Sequence, residues 1–250
     1  MPVALVLAVA GVALLLAVAA AASPGVLALA LALLAGIVAW GWAGALSLPT
    51  PRGTVGVLAG GGLALVLAAV APESSPWLVW IPAALAISMI AAFIHQLLRI
   101  DGRPRVVESV SSVVLGLTLI ACGVLLVPAA RTVEGLALVL GALAAAAASA
   151  AGDLLDRWEP LRGWTTPIAL AAGGGASCLV ALALHAPLAT WLLVGVAAGA
   201  LSHAVRAVMM PLPSLAHPRP RLVTAVISVL VVGLVPVVVA RALVPAALGG

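Results

Sequence analysis

Residues 1–51 and residues 163–205 contain no Asp, Glu, Lys or Arg. About 20 apolar residues in a helix cross the hydrocarbon core of a bilayer. Each run is therefore long enough to cross twice, and a chain that does so is more than a soluble domain with one anchor. The rest of the sequence agrees: 65% of residues are hydrophobic and 7% are charged, with mean hydropathy +1.35, whereas soluble domains carry about 25% charged residues. The sequence predicts an all-α polytopic membrane protein, a single transmembrane domain over residues 1–250.

Turn signals divide the chain into nine spans, near 3–22, 26–48, 54–70, 77–98, 106–127, 136–151, 165–184, 188–210 and 222–244. Ser23-Pro24-Gly25, the prolines around Arg52, Pro72 to Pro76 and His185-Ala186-Pro187 punctuate them. The first run ends in small residues like a cleavage site, but Met-Pro-Val lacks a positive start, so it reads as a retained span. Trp40, Trp42, Trp77 and Trp80 stand near span ends, where interfacial Trp belongs. Gly56 and Gly60, and Gly195 and Gly199, are four apart and predict close helix contacts. The triplets Gly60 to Gly62 and Gly173 to Gly175 predict weak points in their helices. After Gly152, residues Leu154, Leu155, Trp158 and Leu161 share one helical face, which predicts a short interfacial helix stopped at Pro160.

Charge then orients the bundle. Arg52, Arg99, Arg103, Arg105, Arg157, Arg162, Arg206, Arg219 and Arg221 fall at the loops on one side; the opposite loops hold Arg131, and Arg241 lies near the end of the last span. The positive-inside rule puts the first group and the N-terminus in the cytoplasm and the C-terminus outside, in a bacterial plasma membrane. Every basic residue is Arg, and Lys, Asn and Tyr are absent, which fits a GC-rich coding background. A pI near 11.0 therefore reads as orientation signals and contacts to anionic membrane lipids, with no basic stripe or interleaved aromatics to suggest nucleic acid. Cys122 and Cys178 lie inside apolar runs and read as packing residues.

The polar residues gather at the cytoplasmic loops. His95, Gln96, Arg99, Asp101, Arg103, Arg105 and Glu108 flank one, Asp153, Asp156, Arg157 and Glu159 another, and His203, Arg206 and His217 a third. Converging, they would offer carboxylates for a divalent cation beside Arg for phosphate oxygens. The plainer reading makes the Arg residues topology signals, Asp153 with Arg157 an i,i+4 helix pair, and His95 a partner to a neighbouring helix. No Ser-His-Asp set, P-loop or dinucleotide fingerprint is legible, and the histidines lack metal-ligand spacing.

Two segments carry a resemblance. Gly102-Arg103-Pro104-Arg105-Val106-Val107-Glu108-Ser109-Val110 runs into a small-residue span, and Ser149-Ala150-Ala151-Gly152-Asp153-Leu154 closes an Ala-rich one. In order, spacing and side of the membrane they resemble two segments of the phosphatidate cytidylyltransferase (CDP-diacylglycerol synthase) family, over residues 93–157. The family's G-H-G-G and D-R-x-D signature is missing from this chain. Glu108, Ser109 and Asp153 are the matching positions. The resemblance implies a lipid enzyme that uses CTP and Mg²⁺.

These readings converge on an enzyme acting on a phosphate-bearing lipid at the cytoplasmic leaflet. Glu108, Asp153 and Asp156 would be catalytic, Asp153 and Asp156 would hold Mg²⁺, and His95, Arg99, Arg103, Arg105, Ser109 and Arg157 would bind substrate. The alternatives are a transporter or flippase for a small solute or lipid-linked phosphate, and a structural or assembly subunit. Gly/Ala helix faces would suit a homo-oligomer in any of them.

Overall fold

A computed structural model describes residues 2–48, 51–100, 102, 105–161 and 163–244. Among these residues the regular structure is entirely helical: α1 Val3–Ala22, α2 Pro24–Ala45, α3 Pro51–Val70, α4 Ile81–Leu97, α5 Val106–Val124, α6 Leu126–Ala129, α7 Val133–Gly152, α8 Thr165–Ala183, α9 Leu188–Met209, α10 Pro218–Leu230 and α11 Leu234–Leu243. The short α6 prolongs α5, and a 3₁₀ turn, Val231–Gly233, joins α10 to α11. Counted as continuous segments, eight are long and apolar enough to cross a membrane, and the 17-residue α4 is a shorter ninth. The chain is an all-α, multi-pass membrane protein.

Proline sets many of the helix starts. Pro24 and Pro51 open α2 and α3, and Pro218 opens α10. The first-turn N–H groups of a helix have no intrahelical acceptor, so proline loses nothing there. Three spans therefore begin earlier than the turn signals imply, at Pro24, Pro51 and Pro218. Ser23 separates α1 from α2 in a single extended residue and accepts a cap bond from the Val26 N–H at 3.1 Å. Thr132 caps α7 in the same manner, accepting from Gly135 at 3.0 Å.

Proline also explains the two interrupted spans. Pro128 has no N–H to give the Val124 carbonyl, and Pro236 has none for Val232, so the ladder breaks at Leu125 and at Val231–Gly233. The interruptions meet: a Cβ on Gly233 would lie 2.1 Å from the Cys122 carbonyl oxygen. The glycine triplets behave otherwise, since α3 and α8 run unbroken through them. Gly173 instead packs against Gly195 and Gly199 of α9, with a Cβ on Gly195 falling 2.4 Å from the Gly173 carbonyl oxygen. In α3 Gly53, Gly61 and Gly62 meet neighbouring side chains, while Gly56 and Gly60 face none within 4 Å.

Helices α2, α3, α4 and α5 pack together as one group, and α7, α8 and α9 as another; α1 and α10 lie between them, α1 touching α2, α7 and α10. The α10–α11 segment is the most buried of the spans. Large apolar side chains such as Leu7, Leu14, Leu29 and Leu33 point outward. That surface suits lipid and not water. Trp40 is exposed at a span end under the Arg219 guanidinium, 3.9 Å from the ring centroid. Trp42, expected at the interface, is instead 1% exposed and donates its indole N–H to the Ser112 carbonyl at 2.9 Å. An indole donor needs a partner once buried, and the carbonyl supplies it.

Candidate active site at one end of the bundle

The four Arg-bearing loop regions lie at one end. Arg105 donates to the Ser47 carbonyl at 2.9 Å, and Ser214 donates to the Ala45 carbonyl at 2.6 Å, so the α4–α5 and α9–α10 connections both touch the α2–α3 loop. At the other end Arg131 donates to the carbonyls of Pro72 at 2.6 Å and of Ala69 and Val70 at 3.1 Å, and lies 5.6 Å from the Trp77 ring centroid.

The site forms where α7 stops. Gly152 lets α7 and α8 approach closely, for a Cβ there would sit 3.2 Å from Ile168 and 3.5 Å from the Ala169 backbone. The chain tightens into a 3₁₀ turn, Asp153–Arg157, whose first side chain turns inward toward α9. Asp153 is 5% exposed and both its oxygens are engaged: Arg206 Nε donates to Oδ2 at 2.7 Å, and His203 Nδ1 bonds Oδ1 at 2.7 Å. The remaining Arg206 nitrogens donate to Ser202 Oγ and, at 2.9 Å, to Ser149 Oγ, which itself donates to the Gly199 carbonyl at 2.9 Å. His203 Nε2 lies 3.0 Å from the Thr166 hydroxyl at the start of α8. A carboxylate only accepts, so Nδ1 donates to Asp153, and in that tautomer of the imidazole Nε2 is an acceptor for the Thr166 hydroxyl.

These groups open onto a cavity of about 200 Å³ lined by Asp153, Asp156, Thr165, His203, Arg206 and Met210. Asp156 is exposed within it. Trp158 and Trp164 flank the site, 66% and 60% exposed, as amphipathic rings at headgroup level do. The segment between α7 and α8 is two 3₁₀ turns, Asp153–Arg157 and Glu159–Leu161, in place of the amphipathic α-helix the face pattern predicted.

The structure divides the residues named from sequence into two groups. Asp153 and Asp156 share the cavity, and Arg157 is exposed on the same turn. The second group sits on α4 and α5, which pack with α3 and away from α7, α8 and α9. There Glu108 and Arg105 form an exposed ion pair. Arg99 is 7% exposed and donates to Gln96 at 2.7 Å, and the His95 ring lies against Gly53. Ser109 is fully buried, and its hydroxyl, like His95 Nε2, is buried with no hydrogen-bond partner among the described residues. Arg103 lies outside the described residues. Asp153 takes its partners from α9, not Arg157 at i,i+4.

Sequence reasoning placed His203 and Arg206 near a loop but gave them no role, and it missed Thr166. The available signal was periodicity: Ser149 with Asp153 at i,i+4 on α7, and Ser202, His203 and Arg206 within one turn of α9. No protein-family model, no curated protein and no solved structure matches the chain.

Proposed function

We propose that the protein is a membrane enzyme acting on a phosphate-bearing lipid at the face that carries the arginines, with Asp153 and His203 as its acid–base centre. The observation that carries this is the 2.7 Å contact of His203 Nδ1 with Asp153, whose other oxygen is held by Arg206, at the mouth of a cavity between spanning helices. Ionisable groups inside a membrane bundle are costly to maintain and mark function by default. Arg206 fixes the carboxylate, the carboxylate fixes the imidazole tautomer, and Nε2 is left to take or return a proton. Arg52, Arg105, Arg219 and Arg221 belong to the same end and would draw anionic headgroups to it.

The cytidylyltransferase resemblance adds CTP and Mg²⁺ to this proposal, and the donor set fits a cation of that kind. Among the described residues there is no cluster of three or more His, Cys, Asp or Glu placed for a metal. Mg²⁺ typically needs only one or two carboxylates, with phosphate oxygens and water completing the shell. Asp156 and the remaining lone pairs of Asp153 would hold it, and it would supply neutralisation of the phosphate charge. His95, Arg99, Glu108 and Ser109 belong to the α4–α5 side and would contact substrate only as a separate subsite.

The test is lipid turnover by the full chain in vesicles containing phosphatidate, with and without Mg²⁺ and CTP, followed by mass spectrometry. General acid–base catalysis contributes about 10²- to 10⁴-fold, so His203→Gln should slow turnover at least a hundredfold. A CTP-selective, Mg²⁺-dependent product lost in Asp156→Asn would support cytidylyl transfer. Absence of turnover of any phosphate-bearing lipid, together with movement of labelled lipid between leaflets, would replace the enzyme with the flippase reading.

A further inference from the structure

We infer that Thr166 is a catalytic nucleophile, activated by His203 and Asp153, and that the bond it attacks is a carboxylic ester of the membrane lipid. The inference deepens the proposed function and rests on it for the identity of the lipid, but not for the nucleophile.

Three groups from three helices stand in line: the Asp153 carboxylate from the end of α7, the His203 imidazole from α9 and the Thr166 hydroxyl from the first turn of α8. The contacts are 2.7 Å and 3.0 Å, within reach for proton transfer, and each ring nitrogen serves one neighbour. A hydroxyl, a base within hydrogen-bond distance and a third group orienting the base form the constellation by which a weak alcohol nucleophile is activated. Burial is graded along the line. Asp153 and Arg206 are buried at the cavity wall, the His203 side chain is 13% exposed, and Thr166 is open to its surroundings. An orienting group profits from enclosure, whereas a nucleophile must reach substrate.

The start of α8 adds the other requirement of acyl transfer. First-turn N–H groups have no intrahelical acceptor and lie at the positive end of the helix dipole. Pro167 has no N–H and Ile168 donates to the Trp164 carbonyl at 3.0 Å, so the donors left for a tetrahedral oxygen are the N–H groups of Thr165 and Thr166. Thr165, its neighbour, lines the cavity. Trp158 and Trp164 are exposed beside this turn, and Trp prefers headgroup depth, close to where the ester linkages of a glycerolipid lie.

The chemistry balances without a further reagent. Thr166 Oγ1 bonds to the acyl carbonyl carbon while its proton passes to His203 Nε2. The bond from that carbon to the glycerol oxygen breaks, and the departing oxygen takes the proton from His203, leaving an acyl-threonine. Water then attacks the same carbon, giving its proton to His203, and the fatty acid leaves as Thr166 recovers the proton. Asp153 stays ionised throughout and stabilises the imidazolium.

The experiment uses a fluorophosphonate, which phosphonylates activated hydroxyls, on the purified full chain, with the modified residue located by peptide mass spectrometry. Thr166 is exposed, so Thr166→Ser and Thr166→Val should both fold, which thermal unfolding of each would check. Modification at residue 166 is expected in the parent and in Thr166→Ser, with at least a tenfold loss in His203→Gln and none at that position in Thr166→Val. An unmodified parent, or equal total modification of Thr166→Val, would overturn the assignment. A parallel vesicle assay separates released fatty acid from headgroup products. Headgroup turnover without labelling would sink the nucleophile and leave the proposed function standing. Labelling and release of fatty acid from a neutral glycerolipid alone would keep the nucleophile and remove the phosphate-bearing substrate.

Discussion

At the scale of single residues, Arg206 does the most. It is 1% exposed and donates to side chains of both α7 and α9. Removing one partner of a buried ion pair costs about 3–5 kcal/mol, because the other charge is left enclosed and uncompensated. Arg206→Met is therefore expected to destabilise the protein by about that much in thermal or denaturant unfolding in detergent. Adding Asp153→Asn to the same chain should recover part of the loss. Equal destabilisation by each single substitution and by the pair taken additively would mean that the two residues act independently. This pair shows where sequence reading ran out. Asp153 was visible as a candidate, but its nearest basic neighbour in the chain, Arg157, is not its partner. The partners lie 50 and 53 positions away, and no local spacing encodes a contact made across two helices. Trp42 illustrates the same point in reverse, for its position near a span end carried no sign that Ser112 would draw it inside.

At the scale of helices, small residues and prolines govern the packing. The α8–α9 crossing brings Gly173 and Gly195 into backbone contact, and α9 in turn presents Gly199 to Ser149 of α7. Gly195→Ala should lower the unfolding temperature clearly, since its Cβ would overlap backbone that cannot move aside. Gly56→Ala, with open space around it, should leave the temperature unchanged or raise it, because alanine is the better helix former by about 1 kcal/mol in peptides. Gly233→Ala belongs with the first kind, its Cβ directed at the Cys122 carbonyl. The G-x-x-x-G spacings were plain in the sequence, but spacing does not say which face meets a neighbour. One such pair lies at a contact and the other, Gly56 with Gly60, does not. The real interruptions fall at Pro128 and Pro236, where a missing donor is a stronger local cause than a run of glycines that tight packing can hold straight.

At the scale of the molecule, the alternation of arginine-rich and arginine-poor loops is legible because it depends only on composition and length. The described ends keep it: Arg105 and Ser214 bind toward the α2–α3 loop at one end, and Arg131 closes α3 at the other. The positive-inside rule predicts that the first of these ends faces the cytoplasm. In a chain with Cys122 and Cys178 replaced by alanine, Glu159→Cys should react with a membrane-impermeant thiol reagent only in inverted vesicles. Glu134→Cys should react only in right-side-out ones. The reverse pattern would invert the orientation, and reaction of both from one side would break the span count.

The link between α7 and α9 also bears on how the chain is made. Synthesis proceeds at about 5–20 residues per second, and Arg206 follows Asp153 by 53 residues. For about 3–10 s the carboxylate waits at the end of its span without the guanidinium it pairs with. Until α9 emerges, α7 and α8 are a provisional hairpin that ends in a carboxylate without its ion-pair partner, and an ionisable group in a span is costly until it is paired. A chain stopped before residue 206 would thus lack the guanidinium that ties the end of α7 to α9, and arrival of one arginine would supply contacts to Asp153 and Ser149 together.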